Sequence, residues 1–327
     1  MLMVQLENNF YERTITVKNR KKNTRLDHFL TNFFSAQTGD SEEITTEELL
    51  FSRNRIQKFI DEGKILVNEI PVKQSYKVKN DDVIYIKIPL KFDNEFNIVP
   101  KDIFFEVIYF DKDIIVINKP DNLVVHPAYG HYTDTLVNGL IKIFPDLEDD
   151  RLVRHGIVHR LDKDTSGLLI IARNSHSQNN LVLQFKQRIV KKKYIAITYG
   201  KLEKLEGVIN TRIGRNPLER KKRSVLLTSG KESITYYRVM EYLRNATFVE
   251  LSPHTGRTHQ LRVHMAYLRH PILGDKIYSR GKSGFHRLGL MLCAKEISFN
   301  HPVTEQKMEF KIEIPERFKI ILEKGEI

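Results

Sequence analysis

The chain has 327 residues, 53 Lys plus Arg against 41 Asp plus Glu for a net charge of +12, one cysteine and 41% apolar residues. That length suits two domains with ample core, and 29% charged with 9% aromatic residues describes a folded chain, not a disordered one. The single Cys293 excludes an intramolecular disulfide and any cysteine-built metal cage, and points to a reducing compartment, the cytoplasm. No stretch approaches the roughly 18 unbroken apolar residues of a membrane helix, and Met1 to Arg13, broken by Glu7, Asn8, Asn9 and Glu12, reads as neither signal peptide nor anchor.

Residues 1–23 are polar and irregular, with a basic cluster at Lys18, Arg20, Lys21 and Lys22, and read as an N-terminal arm. Thr24 followed by Asp27 resembles a capping box, and Leu26, Phe29, Leu30 and Phe33 fall on one face of a first helix. The acidic, Thr-rich stretch that follows reads as a loop. Ser52 is placed to cap a second helix, with Ile56, Phe59 and Ile60 on one face and Gly63 at its stop. Short β-prone runs come next, Ile65 to Val67, Ile70 to Val72 and Val83 to Ile88, divided by Asn68-Glu69 and Asn80-Asp81-Asp82. Arg53, Arg55, Lys58 and Lys64 occupy positions that the apolar stripe of the second helix leaves facing water. In the order RLDxxL, SRxxIxxxIxxGxIxVN, DxVxI this module, 24–88, resembles the S4 RNA-binding domain, with an insertion at about 37–50.

Residues 89–101 have proline at each end and no period, and read as a linker. Beyond it, apolar strands alternate with turns: Ile114 to Ile117, Leu123 to Val125, Ile157 to His159, Leu168 to Ala172, Tyr194 to Tyr199, Ile234 to Val239, Phe248 to Leu251 and Leu288 to Cys293. Helical spacing covers only Leu136 to Ile143, Gln178 to Ile189 and His259 to Leu268. Few strands are followed by a helix, so the fold class is α+β: a small N-terminal module and a mainly antiparallel, mixed-sheet domain over 102–327. The positive charge gathers in this second domain. Up to residue 92 there are 15 basic and 13 acidic residues, whereas Lys186 to Arg223 alone holds 13 against 3. A stripe this dense suits a polyanion track, since each neutralised phosphate releases counterions.

The densest polar turn is GIVHRLDKDTSGLLIIA, residues 156–172, where His159, Arg160, Asp162, Lys163, Asp164, Thr165 and Ser166 lie between two apolar runs and Gly167 lets the chain turn back into a sheet. Asp162 and Asp164 are both candidate carboxylates for acid, base or nucleophilic work. His254, His259 and His264 raise the question of zinc, but steps of five do not put ligands on one helical face, so no metal is expected.

The run HRLDKDTSGLLIIA (159–172) resembles the catalytic motif of the pseudouridine synthases of the large-ribosomal-subunit and tRNA class. INKPDNLVVHP (117–127) is similar to that family's first motif, and TGRTHQLRVHM (255–265) followed by HPILGD (270–275) to its third. With the S4-like module the resemblance covers about 24–320. It departs at Asp121-Asn122, where relatives carry a glycine; Asn tolerates the left-handed conformation. The resemblance implies a pseudouridine synthase catalytic domain in which Asp162, not Asp164, is the nucleophile. It also implies that Arg262 pairs with Asp162, with Arg257 as the second candidate, that Tyr194 stacks on the target base, and that Arg160 enters the RNA stack to hold the flipped nucleotide out. His159 then faces inward. The reaction moves the uracil from an N1–C1′ to a C5–C1′ link without losing an atom, so no cofactor is expected. The expected partner is large-subunit ribosomal RNA or the precursor 50S particle, bound by a monomer. Arg53, Arg55, Lys58 and Lys64 of the module, and Lys191, Lys192, Arg215, Lys221 and Lys222 of the basic stripe, are the candidate RNA contacts with Arg160 and Arg257. A tRNA-directed enzyme, or an assembly factor that only binds RNA, are the alternatives.

Overall fold

The computed structural model describes residues 10–18, 23–36, 53–89, 98–127, 130–149, 152–219, 222–279 and 286–324. The insertion at 37–50, Ser52, Arg20 to Lys22, most of the expected linker and Lys221 lie outside the described residues. No helix among the described residues is long and apolar enough to cross a membrane.

The N-terminal module packs two helices, α1 (Leu26–Ala36) and α2 (Arg53–Asp61), on a four-stranded sheet of order β1-β4-β2-β3. Here β1 is Phe10–Thr16, β2 Ile65–Val67, β3 Ile70–Pro71 and β4 Val83–Pro89. The reading of 1–23 as an irregular arm is corrected at β1, which pairs antiparallel with β4 along its whole length. Tyr11 and Ile15 enter the core, and between them on the same face Arg13 lays its guanidinium over the Phe33 and Phe34 rings, 5.2 and 5.9 Å from their centroids. A charged residue thus stands where the alternation calls for an apolar one.

The capping box expected at Thr24 and Asp27 is also revised. The buried Asp27 carboxylate accepts hydrogen bonds from Arg25 Nε at 2.9 Å, Arg53 Nη2 at 3.0 Å and Gln57 Nε2 at 2.7 Å, tying α1 to α2. Between β2 and β3, Asn68 and Glu69 both adopt positive φ, the geometry of a tight hairpin turn.

The second unit is built on one ten-stranded sheet of order β10-β9-β11-β12-β8-β13-β7-β6-β5, with β14 beside β13. Its strands are β5 (Glu106–Phe110), β6 (Ile114–Lys119), β7 (Ser166–Ala172), β8 (Lys191–Tyr199), β9 (Glu206–Arg215), β10 (Arg223–Val225), β11 (Lys231–Tyr242), β12 (Ala246–Pro253), β13 (Leu292–Asn300) and β14 (Lys307–Lys311). Among the strands of the described residues only the β7–β13 pairing is parallel, as a mainly antiparallel mixed sheet requires. Helices α3 (Leu136–Ile143), α4 (Ser175–Lys186), α5 (Gln260–Tyr267) and α6 (Glu316–Lys324) flank it. Ile98, assigned to the linker, is buried in this second core. All seven residues of β7 are buried, which is why Leu168 to Ala172 reads as an unbroken apolar run.

Two expected strands reduce to single bridges, Val124 to Thr135 and Ile157 to Ile171. The chain therefore leaves strand geometry before Arg160, and the polar turn from His159 to Thr165 is held by other contacts. The expected strand from Leu288 starts only at Leu292, since His286–Leu288 forms a 3₁₀ turn.

Candidate active site

The polar turn opens into a cavity of about 530 Å³ between the β7 entry, the start of β8 and the start of α5, lined by Arg160, Asp162, Tyr194, His259 and Arg262. The turn motif and the third motif thus meet in space. Of the turn's two carboxylates, Asp162 lines the cavity, with its side chain 20% exposed and its backbone carbonyl accepting from Thr165 N at 3.1 Å. Asp164 does not line it; its charge, like that of Asp162, reaches the buried Lys119. His159 faces inward as expected: its Nε2 accepts from Ile170 N at 2.9 Å, and burial pushes its pKa down to about 3, so the ring is neutral.

Arg262 does not pair bidentately with Asp162. Its Nε and Nη2 each donate to Asp275 at 2.8 Å, while Nη1 lies 3.6 Å from Asp162 Oδ2. Asp275 is fully buried and also accepts from Ile277 N and Tyr278 N, at 2.9 and 3.1 Å. Burial opposes charge on both residues of this pair, but their mutual hydrogen bonds outweigh it, raising Arg262 and lowering Asp275. The guanidinium is thereby fixed in place, with its third nitrogen left to face Asp162.

Tyr194 is buried against the cavity. Burial, then the charge of Asp162, pushes its phenol well above the usual tyrosine range, so the ring stays neutral.

Sequence reasoning missed three members of this cluster as functional groups. Lys119, at the end of β6, has no exposed surface, and its Nζ donates to the carbonyls of Pro120, Leu123 and Lys163 at 2.7, 2.8 and 3.0 Å. It ties the INKP turn to the residue after Asp162. Burial lowers its pKa to about 8, partly offset by the charges of Asp121, Asp164 and Asp162. The signal was a lone lysine closing the buried run Ile114 to Ile117. His259 and Tyr278 are the other two: His259 Nε2 lies 3.9 Å from Asp162 Oδ2, and His259 Nδ1 is 2.9 Å from Tyr278 Oη. Asn122 sits at φ 59°, the left-handed turn expected of it.

The cations of the basic stripe divide. Lys192 and Arg257 line the cavity together with Lys186 and Arg188. Lys192 is half-buried, its Nζ 5.5 Å from the Phe185 ring centroid, and burial lowers its pKa. Arg257 Nε donates to Glu232 O at 3.0 Å. Lys191, Arg215 and Lys222 lie outside the cavity; Lys222 pairs with Glu219 at 2.8 Å.

In the N-terminal module, Arg53 is half-exposed but bound to Asp27, Arg55 lies over the Phe59 ring, and Lys58 and Lys64 pair with Glu62 at 3.8 and 2.8 Å. The three histidines weighed for zinc part company. His264 is buried between Thr211 and Thr235, His254 meets Arg188, and His259 meets Tyr278. Asp111, Asp113 and His301 do cluster, with one ligand atom each within 4.8 Å of the others. His301 Nδ1 accepts from Val303 N and Thr304 N, so its Nε2 carries the proton that it donates to Asp111 Oδ2 at 3.0 Å. A proton stands there where a metal needs a lone pair.

A half-open cavity beside a cationic rim, an aspartate facing a fixed guanidinium, and a neutral tyrosine form a site for an RNA-modifying isomerase, and the chain belongs to the RNA pseudouridine synthase family. The RNA pseudouridylate synthase profile matches residues 113–267, and the S4 domain profile matches 47–84. An uncharacterized RNA pseudouridine synthase of Bacillus subtilis, YlyB, is 36% identical over 311 residues, covering 94% of this chain and 96% of that protein. The ribosomal large subunit pseudouridine synthase D of Vibrio parahaemolyticus is 36% identical over 318 residues, 93% of this chain and 91% of its own. That of Neisseria meningitidis serogroup A is 38% identical over 276 residues, 81% and 73%. Among solved structures, human RNA pseudouridylate synthase domain containing 1 superposes with a TM-score of 0.54 at 29% identity, over 65% of this chain and 85% of that one.

Proposed function

We propose that the protein converts uridine to pseudouridine in large-subunit ribosomal RNA, with Asp162 as nucleophile. The observation that carries this is the placement of Asp162 in the cavity, its Oδ2 facing Arg262 Nη1 at 3.6 Å, with buried Tyr194 lining the same cavity. Breaking the N1–C1′ bond and joining C5 to C1′ releases the C5 proton and returns one to N1, so the product is an isomer of the substrate. A carboxylate suits the task because it stabilises or captures the electron-poor fragment while the glycosidic bond is open. Arg262 presents its positive charge to Asp162 and is itself locked by Asp275. Neutral Tyr194 offers a ring face for the uracil. Arg160 projects exposed from the turn two residues before Asp162, suited to fill the gap left by a nucleotide drawn out of a stack.

Two relatives that match most of this chain are named for the large ribosomal subunit, which supports ribosomal RNA over transfer RNA as the substrate. The S4 module over 24–88 and the stripe from Lys186 to Arg223 grip the RNA, with Arg53, Arg55, Lys58, Lys64, Lys191, Lys192, Arg215, Lys221, Lys222 and Arg257 as contacts. The protein works as a cytoplasmic monomer.

Pseudouridine mapping in ribosomal and transfer RNA from cells lacking the protein, complemented by the wild type or by Asp162→Asn, tests the whole reading. Wild type should restore missing 23S pseudouridines and Asp162→Asn none, with RNA affinity retained. Sites lost only from transfer RNA would reassign the substrate, and full modification by Asp162→Asn would sink the aspartate mechanism.

A further inference from the structure

His259 stands beside Asp162 with no role assigned to it by the motif resemblance, and three observations give it a task. The first is backbone geometry. His259 precedes α5 with φ 57° and ψ 17°, a left-handed conformation unfavourable for a side chain with a Cβ. That conformation is held by the helix start, where Val263 N donates to His259 O at 2.9 Å.

The second is a chain of hydrogen bonds that favours one tautomer over the other. Arg223 N donates to Tyr278 Oη at 3.0 Å, which occupies one lone pair of the phenol oxygen. The phenol proton then has His259 Nδ1, at 2.9 Å, as its acceptor. With Nδ1 accepting, the imidazole proton belongs on Nε2, the nitrogen 3.9 Å from Asp162 Oδ2. Burial lowers the pKa of His259, consistent with a neutral ring carrying that single proton; the charges around it are Asp162, Arg262, Asp275 and Arg223.

The third is that one short loop sets both neighbours of Asp162. Asp275 clamps Arg262 and accepts from Tyr278 N, while the Tyr278 ring lies 5.4 Å beneath the Arg262 guanidinium and meets His259 edge-on at 5.7 Å. Arg262 Nη1 and His259 Nε2 both address the same oxygen, Oδ2.

We propose that His259 is a positioning residue: as the Nε2–H tautomer set by Tyr278, it anchors Oδ2 of Asp162 together with Arg262 and leaves Oδ1 to face the nucleotide. The inference rests on Asp162 being the reacting carboxylate. A shift of about 1 Å on RNA binding, or one bridging water, turns the 3.9 Å approach into a hydrogen bond.

The test compares His259→Ala, His259→Gln and Tyr278→Phe by single-turnover pseudouridine formation on a 23S transcript, by RNA affinity, and by ¹⁵N NMR of the imidazole. His259→Ala should slow turnover about 10- to 100-fold with RNA affinity unchanged within about twofold. His259→Gln, which keeps an N–H near the Nε2 position, should recover most of the rate. The wild-type imidazole should read as Nε2–H and lose that preference in Tyr278→Phe. Wild-type turnover in His259→Ala, a Gln variant no better than Ala, or an Nδ1–H signature in the wild type each overturns the proposal. Should His259→Ala fail to fold, the other two variants and the spectrum decide. A wild-type protein that forms no pseudouridine on any RNA would instead sink the proposed function, while the NMR reading of the tautomer would still stand or fall by itself.

Discussion

Asp27 has no exposed surface, yet burial does not neutralise it, because hydrogen bonds from Arg25, Gln57 and Arg53 outweigh desolvation and hold its carboxyl far below the usual carboxylate range. Replacing it with Asn leaves Arg25 and Arg53 without their anion. Both arginines keep partial contact with water, so the cost is about 2 kcal/mol and not the larger loss of a wholly buried pair. The sign with pH follows from a folded pKa below the unfolded one. The stabilisation is complete above the unfolded value of about 3.9 and is lost as pH falls toward the folded value. Urea midpoints of wild type and Asp27→Asn should therefore differ at pH 7 and converge below about pH 4; a difference that persists at low pH would deny the ion pairs this role. The same logic explains what could be read at the active site. The nearness of Asp162 and Arg262 was legible from the resemblance of their motifs, but Arg262's bidentate bond to Asp275 was not, because nothing in a one-dimensional pattern tells which of two carboxylates receives a guanidinium's fork. A lone lysine closing a buried run flags Lys119, but what it does, like what His259 does, depends on carbonyls and a phenol contributed by other segments.

Among the elements, those with a clean apolar period were legible and those with a polar intruder were not. The helix over Leu136–Ile143 appears as expected, six of its eight residues being buried. Strand Phe10–Thr16 was missed because Arg13 interrupts its alternation, and strand Glu206–Arg215 because one face, Glu206, Val208, Asn210 and Arg212, is exposed and mixed in character while Gly207 and Thr211 dilute the other. Conversely, Ile157 to His159 has strand composition but only one bridge, since Arg154, His155 and Gly156 all take positive φ immediately before it. The turn's other end is where sequence and structure agree most closely. Gly167 has φ +113°, and a Cβ there would stand 2.3 Å from Ala294 O, so the glycine lets the parallel β7–β13 pairing form directly beneath the Asp162 turn. Gly167→Ala should thus destabilise by about 3 kcal/mol or more and cut turnover further than stability alone accounts for. Thermal unfolding and single-turnover kinetics at a temperature where the variant stays folded check both halves, and a wild-type melting temperature would refute the close approach.

Across the whole molecule, the net charge of +12 acts through its placement. Two kinds of cation follow from the geometry. Lys191, Arg215 and Lys222 lie outside the cavity on the β8 and β9–β10 side, Lys191 bonded to Arg188 O and Lys222 to Glu219, both contacts exposed and exchangeable for phosphate, whereas Lys192 is half-buried beside Phe185 and its charged form is penalised by burial. Counterion release makes log affinity fall linearly with log salt, by about 0.9 per phosphate neutralised on duplex RNA taken as similar to DNA. Replacing Lys191 or Arg215 by Gln should therefore weaken RNA binding and flatten the salt slope by about 1 each, while leaving the single-turnover rate at saturating RNA near wild type. Lys192→Gln should leave the slope nearly unchanged and act on turnover, because its charge lies against the cavity wall. On the proposed role of Arg160 in filling the place of a nucleotide drawn out of the stack, Arg160→Ala should also spare most of the slope while slowing turnover. Affinity measured by anisotropy from about 50 to 200 mM salt, paired with rates at saturation, separates these classes. Equal slopes for wild type, Lys191→Gln and Arg215→Gln would place the RNA track away from the β8–β10 side and leave the basic stripe a solvated surface.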